Sequence, residues 1–194
     1  PKSKTLYYVE LMEGTVNKYA PSSGEQTQAA VGKHVSFIIP IKGTTNEFVV
    51  GIQRQLARIT WDGVSEKPSK IEQLLELDDP SDVIQLNDAK VDSFGRLWFG
   101  TVAFDRQNHR WLANKASFYS YAKKEGLKTH LDNVTISNGM DWDVKRKKFY
   151  YIDSPQRQIF QYDFDGSEGK IYNQQTIFTL DKHDIPGIPD GLTI

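Results

Sequence analysis

The stretch "KKFYYIDSPQRQIFQYDFDG", residues 147–166, repeats the pattern of "KTLYYVELMEGTVNKYAPSSG", residues 4–24. Leu6, Tyr7, Tyr8, Val9 and Glu10 fall on Phe149, Tyr150, Tyr151, Ile152 and Asp153, and the register runs without a gap until Tyr19 falls on Tyr162. Two further units, "FVVGIQRQLARITWDG" (48–63) and "RLWFGTV" followed by "ASFYSYAKKEG" (96–126), share the order of apolar strand, polar turn, aromatic strand and Gly. The units begin near residues 6, 48, 97 and 149. A period of about 40 to 50 residues, filled with short β-branched and aromatic runs, is that of a four-stranded propeller blade, which must bury its faces against its neighbours. A sandwich has similar strands but no such period. The expected fold is therefore all-β, a single propeller domain over residues 1–194 with about four blades, incomplete at both ends. Helical periodicity is nearly absent. The best amphipathic candidate, "SKIEQLLELDD" (69–79), reads equally as a strand with a turn.

Within this repeat lies "ISNGMDWD", residues 136–143. Taken alone, Asn-Gly between apolar residues is a hairpin turn. Its place in the unit argues otherwise: Asn138 stands eleven residues before Phe149, and Asn87 of "IQLNDAKVDSFGRLWFG" stands ten before Leu97. The same rule picks Asp190 in "IPDGLTI", falls near the apolar Phe37 in "VSFIIPI", and in the first unit points upstream of Pro1. The innermost strands of a propeller line its channel, so equivalent residues converge on the axis. Two amides and a carboxylate there form an oxygen-rich cage that suits Ca²⁺ first, with Mg²⁺, Mn²⁺ or Zn²⁺ as the other candidates. An ion so held can polarise a carbonyl or phosphoryl oxygen, or activate water.

Composition narrows the alternatives. The 194 residues carry a formal net charge of −1, with 24 Lys and Arg interspersed among 25 Asp and Glu, so no basic field draws nucleic acid or an anionic membrane. The absence of cysteine removes disulfides, thiol nucleophiles and thiolate metal sites, and accords with a reducing, cytoplasmic setting. No apolar run approaches the roughly 18 to 20 residues of a membrane span. The opening "PKSKTLYYVEL" reads neither as a leader nor as a natural start, since it lacks Met and enters a strand at once. No G-x-S-x-G elbow, P-loop or G-x-G-x-x-G occurs.

Through "VSFIIPI", "ITWDGVS", "LNDAKVDSFGRLWFGT", "ISNGMDW", "FYYIDS" and "KHDIPGIPDGLTI", the chain resembles the gluconolactonase, regucalcin (senescence marker protein) and luciferin-regenerating-enzyme family of six-bladed propellers, the insect branch above all. The likeness runs essentially end to end. It implies a divalent metal on the axis, held by Asn138 of the "SNG" motif, by Asp190 of "PDG", and by a Glu that would lie upstream of Pro1. It places Asn87 beside the metal, touching substrate or a metal-bound water, and makes Asp190 the general base, or the nucleophile as argued for related propellers. Two departures stand out. The family's Arg two residues before the Asn is Gln85 here, which cannot grip a polyhydroxylated or anionic substrate by charge. After "GTVAF", Asp105 is the counterpart of an acidic substrate contact.

The remaining residues read more plainly. His34, His109, His130 and His183 show no metal-ligand spacing and read as surface or loop residues; His183, seven before Asp190, is the one placed to rim the channel. Trp61, Trp98, Trp111 and Trp142 read as blade-packing residues, "KRKK" (145–148) as a solvated turn, and "NVT" at Asn133 as a chance sequon. The function expected is metal-assisted hydrolysis of a small-molecule lactone or similar activated ester. The alternatives are phosphotriester hydrolysis at the same cage and a calcium-binding or scaffold propeller without turnover. The partners expected are that substrate and the blades missing from this stretch; with two blade faces uncovered, the stretch alone should be unstable or associate.

Overall fold

The computed structural model describes residues 4–79 and 82–194. The described residues form sixteen β-strands and two single-turn 3-10 helices, and no helix among them is long and apolar enough to cross a membrane. The chain divides into two compact units, residues 1–80 and 81–194.

The first unit holds β1 (Leu6–Glu10), β2 (Thr15–Ala20), β3 (Glu25–Ala30), β4 (Val35–Pro40), β5 (Glu47–Ile52), β6 (Gln55–Thr60) and β7 (Lys70–Glu76). They form an antiparallel three-stranded sheet, β1-β2-β3, and an antiparallel four-stranded sheet, β4-β5-β6-β7. The segment 69–79 thus resolves as a strand. Alternation along β5 and β6 sends Phe48, Val50, Ala57 and Ile59 into a core with Val16, Ala29, Val35 and Trp61, all essentially inaccessible. Burying each of the larger side chains contributes roughly 1.5–3 kcal/mol. Gly14 closes the β1–β2 turn at φ +67°, and a Cβ there would lie 1.7 Å from the Gly32 carbonyl oxygen, so only glycine fits.

The second unit holds β8 (Ile84–Val91), β9 (Leu97–Asp105), β10 (Arg110–Trp111), β11 (Ala116–Ala122), β12 (Gly126–Val134), β13 (Ser137–Asp143), β14 (Lys148–Asp153), β15 (Gln158–Asp165) and β16 (Lys170–Thr179). One sheet runs β8-β9-β11-β12 with the short β10 folded back on the end of β9, and the other runs β13-β14-β15-β16. Their shared core is aromatic: Trp98, Phe118, Trp142, Phe149, Tyr151, Phe160, Tyr162 and Phe164, with Met140 among them. Trp98 sits at its centre, within 6.0 Å of the rings of Phe118, Trp142, Phe149 and Phe164. Its indole N–H donates to Asp92 Oδ2 at 2.9 Å. On its other side lies His130, stacked at 4.2 Å, with Nε2 2.7 Å from Ser120 Oγ. Burial, with Lys128 and Arg96 nearby, pushes this imidazole down to about 4, so at neutral pH it is an uncharged ring sharing a hydrogen bond with the serine hydroxyl. Three tryptophans pack as the sequence suggests. Trp111 does not: it is exposed on β10 and lies against Phe104.

The internal repeat is exact in register. Leu6 pairs with Tyr19 on β1–β2, and Phe149 pairs with Tyr162 on β14–β15, the two pairs that the alignment superimposes. β1, from Leu6, is the first strand of the three-stranded sheet, and β5, β9 and β14 are the second strands of theirs, matching the unit starts read from the sequence. The strand that precedes each of the last three carries a second shared feature. On β4, β8 and β13 the pairing slips between Val35 and Ile38, between Leu86 and Ala89, and between Ser137 and Met140. Two residues there oppose one, which is a β-bulge. The bulged pairs are Ser36–Phe37, Asn87–Asp88 and Asn138–Gly139. The position matching the two asparagines in the second unit is therefore Ser36, one residue from the Phe37 that spacing suggests.

Candidate metal site

A bulge turns a side chain away from the direction its strand would impose, and β8 and β13, the first strands of neighbouring sheets, use it on facing residues. Asn138 and Gly139 lie inside β13, not in a turn. Asn87 Nδ2 donates to Asn138 Oδ1 and to the Ser137 carbonyl oxygen, each at 2.8 Å. Asn138 Nδ2 donates to the buried Ser154 Oγ at 2.7 Å. That bond fixes the amide, leaving the carbonyl oxygen towards Asn87 with a second lone pair free. Ser137 is seated by Tyr151, whose hydroxyl donates to Ser137 Oγ at 2.8 Å, and by Gly100, where a Cβ would lie 1.7 Å from that same oxygen.

The third residue arrives from the 3-10 turn Asp181–His183 along an irregular segment. The Gly139 N–H donates to the Asp190 carbonyl oxygen at 3.0 Å. A Cβ on Gly139 would lie 2.6 Å from the Leu192 nitrogen and 2.7 Å from the Asp190 oxygen, so glycine is what lets this backbone lie against β13. The Asp190 side chain is exposed. Asp88 stands close enough to feel it: burial first, and then the Asp190 charge, raise the Asp88 carboxyl above the ordinary carboxylate range. Beyond these, Asp141 Oδ2 accepts from Lys90 Nζ at 2.7 Å, from the Ile194 N–H at 3.0 Å and from Thr193 Oγ1 at 3.3 Å.

Of the residues singled out by sequence, Asn87, Asn138 and Asp190 thus lie along one junction between β8, β13 and the last segment. Gln85 lies two residues before Asn87 on β8, buried, with its Nε2 lacking a hydrogen-bond partner. Asp105 is engaged elsewhere. Its Oδ1 accepts from the Gln107 and Asn108 N–H groups at 3.1 Å and its Oδ2 from Asn108 Nδ2 at 2.7 Å, anchoring the β9–β10 turn. His183 is exposed and stacked on Phe178 at 4.6 Å, with no bond to Asp190. Asp88, Asp141 and Ser154 escaped the sequence reading. A signal for Asp141 existed, since Lys90 and Asp141 each stand three residues after a bulge asparagine.

Oxygen donors alone make up this cluster, and no group of three or more His, Cys, Asp or Glu among the described residues is arranged to hold an ion. The set fits a hard cation through its chemistry: an oriented amide oxygen on Asn138, a free carboxylate on Asp190, and a second carboxylate on Asp88 whose repulsion by Asp190 a cation would relieve.

Residues 1–194 match the family model described as SMP-30/Gluconolactonase/LRE-like region over their whole length. The chain belongs to this family. Regucalcin of Gallus gallus is 28% identical over 193 residues, covering 100% of this chain and 62% of that protein. A solved luciferin-regenerating enzyme superposes with a TM-score of 0.92 at 42% identity, over 98% of this chain and 62% of that one. The crystal structure of a regucalcin from Agrobacterium tumefaciens strain C58, described as a calcium-binding protein, superposes with a TM-score of 0.81 at 20% identity over 98% and 60% of the two chains. The chain spans about three fifths of the length of these relatives, and its four sheets are blades of a β-propeller of which it forms part.

Proposed function

We propose that this chain carries most of the site of a divalent-metal-dependent hydrolase that opens a lactone or a similarly activated ester. The observation that supports this best is the junction itself, where bulges on β8 and β13 bring Asn87 onto Asn138 and the Gly139 N–H holds the backbone of Asp190. Asn138 and Asp190 would hold the ion, with Asn87 beside it. Calcium is the favoured ion, because every donor is oxygen and the Agrobacterium regucalcin is described as calcium-binding. A bound ion supplies Lewis-acid polarisation of the substrate carbonyl.

The chain's own residues do the rest. The Asp190 carboxylate accepts a proton from the attacking water as its oxygen bonds to the carbonyl carbon. As the ring C–O bond breaks, that proton passes to the departing alkoxide, giving a hydroxy acid. Ser154 keeps the Asn138 amide from rotating, and Asn87 reaches the substrate or a water beside the ion. Gln85, buried on β8, brings no charge where the family motif carries Arg, which favours uncharged over anionic substrates. With Asp105 committed to its turn and Gln85 buried, the substrate contact assigned to this chain is Asn87.

The intact protein, stripped with a chelator, should lose hydrolysis of neutral lactones and regain it when Ca²⁺, Mn²⁺ or Mg²⁺ is added. Phosphotriester hydrolysis in place of lactone hydrolysis would move the chemistry to phosphorus. Tight metal binding with neither activity would favour a calcium-binding scaffold, the reading that the Gln85 substitution supports.

A further inference from the structure

The segment that delivers Asp190 is tied on its near side by Arg157, which donates to Asp181 Oδ1 and to the Ile185 carbonyl oxygen, each at 2.7 Å, and to the Gly187 carbonyl oxygen. Residues 186–194 lack regular secondary structure and are mostly exposed. One backbone bond, Gly139 N–H to the Asp190 oxygen, holds the near end of the stretch that follows Asp190. The residues that follow are held by Asp141. Asp141 Oδ2 takes the Ile194 N–H at 3.0 Å and Thr193 Oγ1 at 3.3 Å, and the same oxygen takes Lys90 Nζ at 2.7 Å. The Asp141 side chain is only 15% exposed. Burial disfavours its charge, but Lys90 and the N–H groups of Ile194 and Trp142 outweigh this and keep the carboxyl below the ordinary range.

The arrangement forms two rungs between the same strands. Asn87 to Asn138 is the first, and Lys90 to Asp141, three residues further along both β8 and β13, is the second. The first rung carries the oxygen donors. The second is where the segment bearing the remaining donor is tied down.

We propose that Asp141 is a positioning residue of this site: by binding Lys90 and the backbone of residues 193–194 together, it holds the far side of the Asp190 segment, so that the carboxylate lies where Asn138 can share a cation with it. This rests on the reading of Asn138 and Asp190 as metal ligands. Groups that orient a metal's ligands typically cost 10–100-fold in metal affinity when removed.

Two readouts on the intact protein test this, calorimetric titration with Ca²⁺ and amide hydrogen exchange of residues 187–194 in the metal-free state. Asp141→Ala should weaken Ca²⁺ binding by about 10-fold or more and speed exchange in the segment. Asp141→Asn keeps an oxygen for the Ile194 N–H and should recover most of both, while Lys90→Met, which removes the partner of Asp141 on β8, should show part of the same loss. A general loss of structure is identified by exchange rising across β14 and β15 as well, which would overturn the positioning role in favour of a merely structural one. Unchanged affinity and exchange in Asp141→Ala would also overturn it. If the wild type binds no Ca²⁺ while the exchange pattern responds as stated, the metal assignment falls and the anchoring of the segment by Asp141 stands.

Discussion

Gly139→Ala is expected to lower divalent-metal affinity and lactone turnover together, by on the order of 100-fold, with the melting temperature changed by only a few degrees. The added methyl would sit 2.6 Å from the Leu192 nitrogen and Cβ and 2.7 Å from the Asp190 carbonyl oxygen, distances that real Cβ atoms essentially never show. Something has to move. β13 is paired with β14 on both sides of the bulge that holds Gly139, whereas residues 190–194 are held against it by individual hydrogen bonds. The yielding part is therefore the backbone that carries Asp190, and displacing a reacting or ligating group by about 1 Å costs about 10²-fold. Stability suffers little, because that segment is mostly exposed and buries little surface. Parallel calcium titrations, lactone assays and thermal melts check the three parts separately; an alanine variant that binds metal as the wild type does would contradict the close approach.

The largest effect on stability should come from Asp92→Ala, about 3–5 kcal/mol. One carboxylate there serves four donors. Its Oδ1 takes the Phe94 N–H at 2.8 Å and the Arg96 N–H at 3.0 Å, and its Oδ2 takes Arg96 Nε at 2.8 Å and Trp98 Nε1 at 2.9 Å. The two charged side chains are 0% and 5% exposed. Removing the acid leaves a guanidinium buried without its counter-charge, and leaves the indole at the centre of the aromatic core without its acceptor. Arg96 retains only its bond to the Gly166 oxygen at 2.6 Å and its place over the Phe94 ring. Against a typical total of about 5–15 kcal/mol, that loss threatens the fold. The double variant Asp92→Ala, Arg96→Leu should be less destabilised than the sum of its parts, because it removes the orphaned charge. Denaturant unfolding of the intact protein measures both, and additive losses would show that the pair is not coupled.

The strand pairs were legible because a propeller reuses one pattern. Leu6 with Tyr19 and Phe149 with Tyr162 are the same neighbours in two blades, so an alignment of one-dimensional sequence recovers a two-dimensional register. The site asparagines were legible for the same reason, although Asn-Gly argues for a turn. In the structure that pair occupies a bulge, whose local backbone needs resemble those of a turn, and the bulge recurs at Asn87–Asp88 and Ser36–Phe37. Side-chain commitments were not legible. Asp105 matches a family contact by position, but the sequence "DRQN" lets its carboxylate fold onto its own turn. Ser154 and Asp141 act through bonds between residues 16 and 53 positions apart, which no local pattern announces. Trp111 shows the limit of composition: a large apolar ring on a two-residue strand finds only Phe104 to cover it.

The central claim is that Asn138 and Asp190 hold one divalent cation. Calorimetric titration of Ca²⁺ into chelator-stripped intact protein, run beside Asn138→Ala and Asp190→Ala with circular dichroism confirming the fold of each, tests it most directly. One binding event in the wild type, lost in both variants while their spectra stay unchanged, is the predicted result. Calcium binding that persists undiminished in both variants would contradict it.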